Sequence, residues 1–382
     1  MEMKNKAASL ALAAAISMAF CTSASASQQF ESIDDIKQQG AREVASLLSD
    51  RAFRDTLHRQ ILQTPRSTSG KTEVAVPLQA LLANYRTRTS GDNRADVLRA
   101  MDYDARVLKG HSNATDGLLE LRLYLPEGQV MPADLSGVWV AFEPKGKESS
   151  WTTVEAYDSD GHIHHLDAQK DPAFPVLVFD IDSAKDLRAG VQMINDTLTR
   201  AGAQVRPQAA PLAGELTVLD KIHLKVDMEP WVKGAAEVFA VVSGLQPDLA
   251  KPNVQVVDMP YLDWENQDYT PGQDLIYWKD FGLDMANVQL FEQDDNTDYK
   301  VLANGILNGV EVILGVTKPE LSFIPKIAQA IIGATPDAWW LDDNDYLDSY
   351  YIIERGKTYL NKAGAANNAT ATFKPYTVGV GR

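Results

Sequence analysis

The sequence predicts an α+β fold: an N-terminal helical region and small antiparallel β unit, followed by a C-terminal β-sandwich with a helical insertion. Three observations predict it. Apolar residues recur at helical spacing from Phe30 to about Leu108. From about Gly117 short alternating runs, separated by Pro, Gly and Asp, replace that period. Beyond a non-periodic stretch at 203–213, about seven more strand-like runs are interrupted by only two helical ones.

The elements follow in order. Residues 1–26 read as a secretory signal, with Lys4 and Lys6 as a positive head, an apolar run at 7–20, and Ala24, Ser25 and Ala26 as a small-residue cleavage site. Cys21, the single cysteine, leaves with it, so the mature chain is expected to have no thiol chemistry. Residues 27–110 form the helical region: Ile33, Ile36, Val44, Leu47 and Leu48, then Phe53, Leu57, Ile61 and Leu62, with Ser32 and Asp50 as caps. Leu78, Leu81, Leu82 and Tyr85 continue it after Pro77, and Val97, Leu98 and Met101 end it. Residues 111–202 form the small α+β unit, with strands at 121–125, 138–142, 151–157, 162–166 and 175–179. Asp160 and Gly161 mark a hairpin turn. A helix capped by Ser183 follows, with Leu187, Val191, Ile194 and Leu198 on one face and a stop at Gly202. After the 203–213 linker, residues 214–382 make the acidic sandwich, with strands at 222–226, 237–243, 254–258, 275–279, 288–292, 350–353 and 371–374. Helical stretches at about 299–314 and 323–332 form its insertion.

Composition narrows the function. The 382 residues are 45% hydrophobic and 23% charged, as expected of a globular chain. They carry 52 acidic against 36 basic residues, a net charge of −16, so nucleic acid is excluded as a partner by repulsion from phosphate. From Gly214 onward 25 acidic residues face 13 basic ones, which places the acidity mainly in the second half. No later run is long and apolar enough to span a membrane.

The densest acidic clusters fall at predicted strand ends: Asp227 and Glu229; Glu292, Asp294, Asp295 and Asp298; and Asp342, Asp343, Asp345 and Asp348. Carboxylates gathered at one rim of a sandwich repel, and a hard cation with six to eight oxygen ligands relieves that repulsion, which makes Ca²⁺ the expected cofactor. Thr297 stands where a helix-loop-helix calcium site needs Gly, so that motif is excluded. The segment Asp227-Met228-Glu229-Pro230-Trp231-Val232-Lys233 resembles part of the calcium-binding C2 domains, as does the acidic run from Phe291 to Tyr299. Glu229 replaces the usual Asp, so membrane binding is not carried over from that resemblance. The chain as a whole, above all 229–244, Asp258 to Asp263 and Asp294 to Asp298, resembles a family of exported proteobacterial proteins of unknown function. That resemblance implies export and supplies no catalytic residue.

His162 and His164 would share one strand face about 6–7 Å apart, a pair suited to Zn²⁺ or Cu²⁺ if His111, Asp158 or Asp167 supplies a third ligand. A half-exposed hairpin strand with polar residues facing water is the simpler account of them. No nucleophile elbow, zinc-protease helix or phosphate-cradling glycine loop occurs. Most of the tryptophans Trp231, Trp264, Trp278, Trp339 and Trp340 suit a core, whereas Trp340 and Tyr346 flank acidic loops and could present a ring to a partner. The leading expectation is an exported, non-catalytic protein whose acidic loops bind Ca²⁺ and meet a glycan or protein. The rivals are a secreted metal-dependent hydrolase on His162 and His164, and a structural or surface-assembly protein with no ligand.

Overall fold

The computed structural model describes residues 30–64, 72–85, 92–111, 116–126, 128–146, 148–202, 214–226, 229–248, 252–293, 295, 297, 299–314, 323–334 and 346–379. The α+β class is as the sequence predicts, with helices first and sheets after. Helix α1 (Ile33–Leu47) starts at Ser32, whose hydroxyl accepts from the Asp35 amide at 3.2 Å, and α2 (Arg51–Gln63) starts at Asp50, whose carboxylate accepts from Ala52 at 2.8 Å. Both caps satisfy amides that the first turn leaves open. The expected helical region also contains a strand, β1 (Thr72–Pro77), before α3 (Leu78–Asn84) and α4 (Arg94–Leu108). Val74 and Val76 are buried and alternate with Ala75, the period-two signal of a strand flanked by helices.

The first sheet adds β2 (Leu119–Leu125), β3 (Trp139–Ala141), β4 (Thr153–Tyr157), β5 (Ile163–Asp167) and β6 (Val176–Ile181) in the order β1-β2-β6-β3-β4-β5. The unit is not purely antiparallel as expected, because β6 returns past the β4–β5 hairpin into the slot between β2 and β3 and so runs parallel to β3. Every position of β6 is buried, as a central strand covered on both faces requires. Helices α1 to α4 cover one face. Trp231 and Val232, from the second half of the chain, pack on the other with Tyr124, Val154 and Val178. Helix α5 (Ser183–Arg200) is capped by Asp182, not Ser183: the Asp182 carboxylate accepts from Lys185 at 2.9 Å.

The second half holds β7 (Gly214–Leu224), β8 (Val238–Leu245), β9 (Pro252–Asp258), β10 (Asp268–Tyr269), β11 (Gln273–Tyr277), β12 (Met285–Glu292), α6 (Tyr299–Leu314), α7 (Phe323–Ala334), β13 (Tyr346–Glu354), β14 (Tyr359–Ala363) and β15 (Ala369–Val378). One sheet runs β10-β7-β15-β14, with β11 beside β7, and the other β13-β12-β8-β9. Their facing apolar residues, among them Leu219, Ile222, Val242, Val288, Tyr350 and Phe373, form a single core. This is sandwich packing. The outer face of the β8-containing sheet is buried too: Phe239, Val241, Val256 and Phe291 meet α6, α7 and the apolar stripe Leu187, Val191, Ile194 and Leu198 of α5. All eight positions of β8 are consequently buried.

The register fixes one further point. β8 begins at Val238 opposite Glu292, and β13 begins at Tyr346 opposite Phe291. The chain therefore enters β8, leaves β12 and enters β13 at one end of one sheet. That end faces the six-stranded sheet.

Candidate functional site

The residues at this end meet the first half in a buried charge cluster. Lys37 of α1 is fully buried, and its ammonium touches Glu143 after β3, Asp295 after β12 and, at 3.1 Å, Asp180 of β6. One oxygen from each of the three carboxylates lies within 4.8 Å of the others. Without a cation at their centre such a group is prohibitively repulsive in a low dielectric, and Lys37 supplies that charge. Burial pushes Glu143 well above the ordinary carboxylate range despite Lys37. Burial likewise raises Asp180, to about 6, against the pull of Lys37. For Asp295 burial is outweighed by Lys37 and Lys109, and its carboxyl is held down at about 2.

Neighbouring pairs extend the cluster along the interface. Arg122 of β2 donates to Asp180 at 3.1 Å and to the Val232 carbonyl, and lies 3.4 Å from Glu73 of β1. Gly234 has φ +98, and a Cβ there would lie 2.9 Å from the Arg122 guanidinium carbon, so glycine permits the close approach. Lys109 donates to the carbonyls of Asp295 (2.8 Å) and Thr297 (3.1 Å) and pairs with Asp186 of α5 at 2.8 Å. Asp186 also accepts from His111, Gln293 and Tyr299.

Of the predicted calcium ligands, Asp227, Asp294, Asp298, Asp342, Asp343 and Asp345 lie outside the described residues, as do Trp339 and Trp340 and the 203–213 linker. Glu229 pairs with Lys233 at 3.3 Å, and its charge reaches Glu237, which also feels Asp295. Glu292 is fully buried at the end of β12. Asp348 is not brought to Asp295. It accepts from the amides of Ala366, Asn368 and Ala369 at 2.7–2.9 Å and so ties β13 to the β14–β15 turn of the opposite sheet. Tyr346 is half-buried against the helical layer, with its hydroxyl on Ser349 at 2.8 Å. Trp231 and Trp278 are core residues.

The histidine pair sits on the β4–β5 hairpin, whose loop spans 158–162. Asp158 organises that loop: its Oδ1 accepts from the amides of Asp160 (3.0 Å) and His162 (2.9 Å). Its Oδ2 takes both His162 Nδ1 at 3.1 Å and His164 Nε2 at 2.8 Å. The His164 contact and the others hold the Asp158 carboxyl well below its usual range. His111 is elsewhere, on Asp186.

A groove of about 580 Å³ opens between α5 and the outer strands β9 and β11. That volume suits a small ligand. Its walls carry Arg188, Gln192, Gln255, Asp258, Asp274 and Tyr277. Asn195 of α5 bridges the backbone of Val256, donating to its carbonyl at 2.8 Å and accepting from its amide at 3.0 Å, which covers the open edge of β9. Gln255 is 5% exposed, and its Nε2 has no hydrogen-bond partner among the described residues.

Sequence reasoning missed Lys37 and the groove. Lys37 had a signal, since it falls on the buried stripe Ile33, Ile36, Gly40, Ala41 and Val44 of α1, where a charge needs a partner. The groove had none, because α5, β9 and β11 meet only through the tertiary fold. Comparison with characterised proteins and with solved structures finds no match. A family model described as "Protein of unknown function (DUF3103)" matches residues 41–380, which takes in most of both halves, the three carboxylates of the cluster included, and begins just after Lys37. The chain belongs to that family.

Proposed function

We propose that this is an exported, non-catalytic binding protein that takes a polyhydroxylated ligand, a glycan, in the groove between α5 and the β9 and β11 edges. The observation that carries the reading is Gln255: a buried amide nitrogen in the groove region without a partner among the described residues is costly, and a ligand hydroxyl would satisfy it. Arg188, Gln192, Asp258 and Asp274 supply planar polar groups around it, and Tyr277 a ring for a sugar face. A soluble-oligosaccharide array followed by calorimetry of the hits tests this. Binding that weakens about tenfold in Gln255→Leu supports it, and an empty array or indifference to that substitution refutes it.

Calcium at the acidic loops is proposed as the accompanying cofactor, in line with the C2 resemblance. Its support is the strand register: β12 runs out and β13 begins at paired residues, Phe291 and Tyr346, at one end of one sheet, next to which the sequence carries its acidic runs. A ligand that prefers the folded state raises its melting temperature, so millimolar CaCl₂ with no effect on melting would refute this part. Export is proposed from residues 1–26, and a mature N-terminus other than one near Ser27 would refute it.

A further inference from the structure

We propose that the β4–β5 hairpin is a transition-metal site of the Zn²⁺ class, with His162, His164, Asp158 and Asp160 as its ligands. The proposal is independent of the glycan groove, which lies on other elements. Two imidazoles aim at one carboxylate oxygen, Asp158 Oδ2, at 3.1 and 2.8 Å. Ligand atoms of Asp158, Asp160 and His162 all fall within 4.8 Å of one another. Two nitrogen and two carboxylate donors suit Zn²⁺, Cu²⁺ or Ni²⁺ and not the oxygen-seeking Ca²⁺.

The loop is built for the arrangement. Asp158 is fixed from behind by the amides of residues 160 and 162, so its second oxygen is presented at no further conformational cost. His164 is held by Trp139, whose ring stacks on it at 3.9 Å with 9° between planes. His162 is the exposed arm, its side chain 72% exposed and its Nδ1 already directed at Asp158. On binding, each coordinating nitrogen gives up the proton it now shares with Asp158, by tautomeric shift or release to water, and the ion takes its place between imidazole and carboxylate. The outer side stays open to solvent, which leaves room for water or a donor from another molecule.

Equilibrium dialysis of the mature chain against zinc chloride, read by elemental analysis, tests this. The expected result is about one zinc per chain, lost in His162→Ala, His164→Phe, where Phe keeps a ring on Trp139 and so preserves the fold. An unchanged zinc-free melting temperature in that variant separates loss of ligands from loss of structure. Copper provides a second readout: it should quench Trp139 fluorescence, and Trp139→Phe should remove that quenching while stoichiometry stays the same. No zinc on the parent chain, equal zinc on the folded double variant, or calcium taken at these residues in place of zinc overturns the proposal.

Discussion

Replacing Lys37 by Met keeps the length and apolar stem of the side chain and deletes one charge from the middle of the interface. Lys37 is fully buried among Glu143, Asp180 and Asp295, whose nearest oxygens stand within 4.8 Å of each other. Removing one member of a buried ionic group strands the others, at a cost of about 3–5 kcal/mol, because desolvated carboxylates lose their counter-charge. The loss corresponds to a fall in Tm of roughly 4–6 °C for a chain of this size. Urea denaturation at pH 7, followed by tryptophan fluorescence, measures it. A companion variant, Lys37→Met with Glu143→Gln and Asp295→Asn, removes the stranded charges as well and should recover part of the loss, since uncharged replacements of whole buried ion groups are often tolerated. A single substitution costing under about 1 kcal/mol, or a triple variant no better than the single, would refute the idea that Lys37 neutralises this cluster.

Further expectations follow from the same structure. Asp348→Ala leaves the amides of Ala366, Asn368 and Ala369 without their acceptor and should lower unfolding free energy by about 2–4 kcal/mol in urea. Gly190→Ala places a Cβ 2.1 Å from the Tyr299 ring, which Asp186 holds by its hydroxyl, and should cost about 1–3 kcal/mol through overpacking. The pH profile has a defined sign. Asp263 is pushed up to about 6 by burial and then by the charge of Asp258, so the folded state binds the extra proton and stability falls as pH rises from about 4 through 6. Asp263→Asn should flatten that part of a Tm-against-pH curve, and an unchanged slope would count against the shift.

Local pattern carried the helices, most of their caps and most strands, because amphipathic period and capping chemistry are properties of neighbouring residues. Ser32 and Asp50 are examples. β1 was hidden because its six residues lie between two helical patterns, and β10 and β14 because they are short or largely exposed. The parallel pairing of β3 and β6 depends on where the chain re-enters the sheet, which no periodicity records. Sites divide the same way. The His162 and His164 spacing was visible, whereas the convergence of both rings on Asp158 depends on the loop conformation. Lys37 was visible as a charge on an apolar stripe, but its partners lie 106 and 258 residues away.

Helix α5 belongs to the first half by sequence yet completes the layer over the second half's inner sheet. The two halves are therefore clasped. Cleavage of the chain between residues 202 and 214 is expected to yield fragments that co-elute under native conditions and reassemble after separate denaturation. The first fragment produced by itself would expose Leu187, Val191, Ile194 and Leu198 to water and self-associate, so truncation for expression should keep both halves together.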